Sequence, residues 1–259
     1  MNKDNETIGH EVVGSGSERV IVLEGWFGDY TVFDPMLPFL DGDAFTYAFV
    51  DYRGYGKSIK MQGEHTMAEI SADVIALADR LDWDRFHVVG HSMGGMAVQR
   101  VALDAPGRVK SITALTPVPA SGVPLDADGE ALFSGAPDSD DNRRMILDFT
   151  TGGRLSGQWL DWRVRCSRES TTRDAFADYL TAWTKTDFSD EVKGLDVPTL
   201  VVVGEHDGAL NADVMKQTYM EWLPNARLEV LPNAGHYPMQ ESPVWLATVI
   251  EKFLREQAG

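Results

Sequence analysis

Two periodicities alternate along the chain. Short apolar runs, Arg19-Val20-Ile21-Val22-Leu23, Phe45 to Val50, Phe86 to Val89, Val109 to Leu115, Thr199 to Val203 and Arg227 to Leu231, have the length and β-branched content of buried strands. Thr7 to Val13 reads as an added edge strand. Between the runs the spacing becomes helical. Met67, Ile70, Val74, Leu77 and Leu81 fall on one helical face, as do Leu246, Val249, Ile250 and Phe253. For that last helix Ser242 is the expected capping residue and Pro243 the expected first position. Strand–helix alternation of this kind predicts an α/β fold: a mostly parallel central sheet with helices on both faces.

The alternation breaks between the fourth and fifth buried strands, in a stretch too long for an ordinary connection. It holds helix-like pieces at Asn142 to Phe149 and Arg173 to Trp183, and the aromatic residues Phe133, Phe149, Trp159, Trp162, Phe176, Tyr179 and Trp183. The expected organisation is a core formed by residues 1–119 and 188–259, with residues 120–187 inserted as a helical cap. Trp159, Trp162, Trp183 and Tyr237 are the candidates for the wall of a substrate pocket, with cap-core packing as the competing role of the tryptophans.

Composition narrows the function classes. The 259 residues are 43% hydrophobic and 24% charged, an ordinary globular mixture that excludes a disordered or fibrous chain. The formal net charge of −17 repels phosphate backbones and anionic lipid surfaces, so neither nucleic acid nor membrane is an expected partner. The single cysteine, Cys166, excludes an internal disulfide and a cysteine-based zinc site. No HxH or HExxH cluster occurs, and no metal or cofactor is expected. The polar start, Met1 to Glu6, lacks the apolar segment of a signal peptide, and no apolar run approaches 18 residues; a cytoplasmic location is expected.

The chemistry is concentrated in Gly90-His91-Ser92-Met93-Gly94, which follows the third buried strand and precedes a helical stretch, Met93 to Leu103. A three-position pattern recurs by chance, so its context carries the meaning. A sharp strand-to-helix turn needs small residues around its central serine, and it lifts the Ser92 hydroxyl above the sheet at the positive end of a helix. A serine hydroxyl needs a base. Of six histidines, His236 stands in a loop between the last strand and the last helix, over the sheet edge where Ser92 is expected. The base needs a carboxylate to orient it, and Asp207 follows the fifth buried strand on the same edge, with Glu205 as the fallback acid. The order Ser92, Asp207, His236 suits a serine nucleophile on this architecture. The backbone N–H of Met93 and that of Trp26, in the loop Glu24 to Asp29, are the expected oxyanion donors.

Together these motifs resemble the α/β-hydrolase superfamily, in particular its small capped esterase, lactonase and perhydrolase branch. Asp51-Tyr52-Arg53-Gly54-Tyr55-Gly56-Lys57-Ser58 is similar to a structural loop of that family. The same stretch brushes against a phosphate-loop pattern, but Asp51 occupies its required first glycine, and nucleotide binding is rejected. The resemblance implies a serine hydrolase for a small to medium, mainly apolar ester or lactone. Carbon–carbon bond hydrolysis, perhydrolysis and a low-turnover receptor are the alternatives. Epoxide hydrolysis and dehalogenation are disfavoured, because relatives with those activities carry aspartate where Ser92 stands. One position departs from the pattern: Glu24 replaces the family's usual histidine before Gly25. A carboxylate beside the oxyanion would oppose catalysis. Glu24 is therefore expected to point into its own loop and accept backbone hydrogen bonds, and it is the feature that sustains the receptor alternative.

Overall fold

A computed structural model describes residues 7–258. The polar start, Met1 to Glu6, lies outside the described residues. Seven strands form one sheet: β1 (His10–Gly14), β2 (Glu18–Leu23), β3 (Phe45–Val50), β4 (Phe86–His91), β5 (Val109–Leu115), β6 (Thr199–Gly204) and β7 (Ala226–Leu231). Their order is β1-β3-β2-β4-β5-β6-β7, and only β1, at one edge, runs antiparallel. Every residue of β3, β4 and β6 is buried, which is why these strands read as continuous apolar runs rather than as alternating ones.

Helices cover both faces. Helix α1 (Met67–Arg80) buries Met67, Ile70, Val74 and Leu77 and packs on α2 (Met93–Asp104). On the opposite face, Val22, Tyr47, Phe49 and Val89 look toward Phe33, Met36 and Ile250, the last from the C-terminal helix Pro243–Glu256. That helix begins with Pro243 in its first turn, as expected. Ser242 occupies the capping position, but its side chain makes no capping hydrogen bond. The expected cap interaction is thus absent: Ser242 also ends the preceding turn, Pro238–Glu241, and its φ of −143° and ψ of 52° do not match the extended backbone of a capping residue.

Between β5 and β6 lie four longer helices, α3 (Ala127–Gly135), α4 (Asp140–Thr150), α5 (Gly157–Ser170) and α6 (Arg173–Lys185). The apolar spacing predicts pieces of α4 and α6 but not α3 or α5. Helix α3 carries Gly129 and has no buried residue, while the buried face of α5 includes Arg163 and Ser167, so neither shows an apolar stripe.

Strand order reverses between β2 and β4, because β3 lies on one side of β2 and β4 on the other. At that reversal Leu23 pairs with Gly90, so the loops leaving β2 and β4 open side by side at the carboxyl edge of the sheet. Crevices of this kind are where open α/β sheets hold ligands.

Candidate active site

Ser92 sits in that crevice with φ 54° and ψ −115°, a left-handed conformation costly for a residue with a side chain. The turn closes only because its flanking residues lack side chains. A Cβ on Gly90 would lie 2.2 Å from the Gly94 carbonyl oxygen, and one on Gly94 would lie 2.5 Å from that of Glu24. The main-chain bonds of Ser92, its N–H to Leu115 and its carbonyl to Val118 N–H, both at 2.9 Å, hold the strained turn.

The structure brings the expected partners together. Ser92 Oγ is 3.0 Å from His236 Nε2, and His236 Nδ1 is 2.7 Å from Asp207 Oδ2. A carboxylate only accepts, so Nδ1 carries the proton and Nε2 offers its lone pair to the serine hydroxyl. The other oxygen of Asp207 accepts the Ala209 and Leu210 N–H groups at 2.8 and 2.9 Å, which fixes the carboxylate plane. Glu205 lies elsewhere: its Oε2 accepts the Asn233 N–H at 3.1 Å. The remaining histidines are accounted for by other contacts. His10 bonds the Ile8 carbonyl, His87 bonds Ser111, His65 bonds Asp178, and His206 lies beside Glu205.

The groups that hold the base have no signature in the sequence. His91 Nε2 donates to the His236 carbonyl at 2.8 Å, Thr116 Oγ1 donates to the same oxygen at 3.2 Å, and the His236 N–H reaches Thr150 of α4. Nothing in a single sequence pairs His91 with a carbonyl 145 positions away.

The loop after β2 is clamped through its carbonyls. Tyr52 Oη donates to Glu24 O and Tyr55 Oη to Trp26 O, both at 2.8 Å, and Arg163 Nη2 donates to Phe27 O at the same distance. The Trp26 indole donates to Phe176 O at 2.7 Å and stacks on the Phe176 ring. With the carbonyls held, the N–H groups of Trp26 and Met93 have no protein acceptor among the described residues. The loop Asp51–Ser58 supplies two of these clamps and is itself tied by Asp51, which accepts the Tyr30 and Lys57 N–H groups.

Glu24 is buried and does not line the cavity that contains Ser92. Its Oε1 accepts the Tyr52 N–H at 3.2 Å, while Oε2 has no hydrogen-bond partner among the described residues. Burial, with Asp51 nearby, pushes its pKa well above the ordinary carboxyl value.

Above Ser92 and His236 lies a cavity of about 500 Å³. Its walls are mainly apolar, with Leu125, Leu132, Phe133, Ile146, Phe149 and Trp183 contributed by the segment between β5 and β6. Tyr237 also lines it, as does Leu210 from the Asp207 loop. Trp159 and Trp162 do not: Trp159 packs on Tyr237 and donates to Gln240, and Trp162 is 38% exposed. The cavity wall contains Asp126 but no lysine or arginine.

Comparison with known proteins identifies the family. The sequence profile of the family described as "alpha/beta hydrolase fold" matches residues 18–243. A non-heme haloperoxidase of Rhodococcus erythropolis is 29% identical over 85% of this chain and 86% of its own. A 2-hydroxy-6-oxononadienedioate/2-hydroxy-6-oxononatrienedioate hydrolase of Cupriavidus pinatubonensis is 24% identical over 93% of this chain and 88% of its own. Among solved structures, a hydrolase from Oleispira antarctica superposes with a TM-score of 0.86 at 18% identity, covering 96% of this chain and 95% of that one.

Proposed function

The chain belongs to the alpha/beta hydrolase fold family, and from that premise we propose that it is a serine hydrolase for neutral, mainly apolar carboxylic esters or lactones. One observation carries the reading: the Ser92–His236–Asp207 hydrogen-bonded chain meets an apolar cavity at Ser92 and His236, and the backbone N–H groups of Trp26 and Met93 have no protein acceptor among the described residues.

His236 Nε2 takes the Ser92 proton as Oγ attacks the substrate carbonyl. The Trp26 and Met93 N–H groups receive the developing oxyanion. His236 then protonates the leaving alcohol, and in the second half it deprotonates the water that attacks the acyl-enzyme. Asp207 keeps the ring in the productive tautomer throughout. The helices α3 to α6 act as a cap that excludes water and selects the apolar part of the substrate.

The wall argues against a carbon–carbon bond substrate of the kind named for the Cupriavidus relative, which is a dicarboxylate. A carboxylate in this cavity would meet no cation among the wall residues and would lose its hydration without compensation. The receptor alternative rested on Glu24, whose carboxylate engages Tyr52 and does not border the substrate cavity.

A serine-reactive phosphonate followed by a panel of neutral esters and lactones of graded acyl length tests the reading. Stoichiometric labelling at Ser92 and turnover of a neutral ester are expected. Labelling at another serine, or a clear preference for carboxylate-bearing diketones, would overturn it.

A further inference from the structure

Three buried side-chain atoms next to the site have no hydrogen-bond partner among the described residues: Glu24 Oε2, His91 Nδ1 and Arg163 Nε. Their residues border one small void of about 10 Å³, completed by Gly25, Phe27, Gly28, Val32 and Tyr237. His91, Phe27 and Tyr237 also line the substrate cavity and so form the wall between the two spaces. A void of that size is at the lower limit of what one water molecule occupies.

The hydrogen-bonding needs of the three atoms are complementary. His91 Nε2 must carry the ring proton, because it faces a carbonyl oxygen. Burial holds the His91 pKa well below the ordinary value, so the ring is neutral and Nδ1 is a lone pair in want of a donor. Arg163 spends Nη2 on the Phe27 carbonyl and is left with an Nε–H in want of an acceptor. Glu24 has one oxygen engaged with Tyr52 and one idle. Because burial keeps the Glu24 carboxyl protonated, its idle Oε2 carries an O–H; that group and the Arg163 Nε–H each need an acceptor and His91 Nδ1 needs a donor, which a single water supplies.

We infer that this void is a binding site for one internal water that bridges Glu24, His91 and Arg163, and that the bridge positions the oxyanion loop and His236 for catalysis. The water site is independent of the reaction; the positioning role rests on the hydrolase reading above. The bridge joins three separate elements: the loop after β2 through Glu24, the end of β4 through His91, and α5 through Arg163. His91 in turn holds the His236 carbonyl, and Arg163 holds Phe27, next to the Trp26 N–H. Gly25 fits the same picture, since a Cβ there would lie 2.8 Å from His91 Nδ1 and crowd the bridging position. Glu24 thus has a task that needs no direct contact with the substrate.

A high-resolution crystal structure of the unmodified protein tests the site, and the rate of Ser92 phosphonylation tests the role. An ordered oxygen within hydrogen-bond distance of Glu24, His91 and Arg163 is expected. An empty void, or side chains closed directly upon one another, would overturn the site. Glu24→Leu should slow both phosphonylation and kcat by about tenfold to a hundredfold, the scale of a small misplacement of catalytic groups, with KM little changed. Glu24→Gln, which still accepts from Tyr52 and still reaches the water, should recover most of that loss. If Glu24→Leu fails to fold, Arg163→Met carries the same expectation. Unchanged phosphonylation in the folded variant, or a loss matched by its unfolded fraction, would overturn the role. An unmodified protein that does not label at all would instead refute the hydrolase reading, and the crystallographic result would still decide the water site.

Discussion

Replacing Asp207 by asparagine should leave the fold almost untouched and remove nearly all activity. The structure dictates how the amide will lie. Oδ1 accepts two N–H groups, from Ala209 and Leu210, and Oδ2 faces His236 Nδ1. Only the amide oxygen can accept, so it takes the Oδ1 position and its NH₂ is turned toward the histidine. His236 must then present a lone pair at Nδ1 and carry its proton at Nε2, 3.0 Å from the serine oxygen it should deprotonate. Inverted tautomers of this kind cost about 10⁴ in kcat in serine proteases, or roughly 5.4 kcal/mol of barrier at 1.36 kcal/mol per decade. Asp207→Ala removes the acceptor for both loop N–H groups as well as the orienting contact. It should be the less stable variant by about 2 kcal/mol, from buried bonds to a charged acceptor. Ester turnover and thermal unfolding of the two variants, measured side by side, provide the assay. An asparagine variant that keeps more than about a tenth of the activity, or that melts below the alanine variant, would show that the tautomer argument is wrong.

Ser92→Ala should abolish phosphonate labelling and lower turnover by about a million-fold, with an unchanged circular dichroism spectrum; labelling that persists would place the nucleophile elsewhere. Glu205→Gln should leave the rate within about twofold, because Glu205 serves Asn233 and not His236; a loss as large as that of the Asp207 variants would reverse the assignment of the acid. Trp183→Ala and Phe133→Ala should change the preferred acyl length, whereas Trp162→Ala should leave the profile alone, since only the first two line the cavity; a panel of esters reads the difference, and identical profiles for all three would reject the cap as the selecting wall. Burial pushes the Asp51 pKa up to about 6. The folded protein therefore retains a proton that the unfolded chain releases near pH 4, and Asp51 costs stability increasingly from about pH 4 to pH 6, by about 3 kcal/mol above that window. The urea midpoint of Asp51→Asn should show a smaller decline across this range than that of the unmodified protein, whatever the constant offset from its altered loop contacts; equal declines would count against a raised Asp51.

Much of the architecture is written locally. Strands β2 to β6 are apolar runs because a parallel strand buried on both faces has no polar side to show, whereas β7, expected as a buried strand, lies at the sheet edge with only Leu231 buried; α1 announces itself by one stripe that meets the core. The serine turn is equally legible, since Gly90 and Gly94 are the residues a tight strand-to-helix corner tolerates. The order Ser92, Asp207, His236 follows from which strand each loop leaves. Glu24 stays out of the Ser92 cavity as expected, but the backbone N–H it accepts belongs to Tyr52 in the loop after β3 and not to its own loop.

What tertiary structure alone decided concerns side chains whose partners are distant in the chain. Helix α5 escapes periodicity because its buried face includes an arginine, and Arg163 there meets the carbonyl of Phe27, 136 positions away. Trp159, Trp162 and Trp183 look alike in sequence, yet only Trp183 reaches the cavity, because its position on α6 faces Trp26 and Phe133. His91 reads as a mere neighbour of the nucleophile until folding sets it beneath the His236 carbonyl. Local patterns record which face of an element must leave water. They carry no record of which buried polar atoms will meet across the core, because that depends on how separate elements dock.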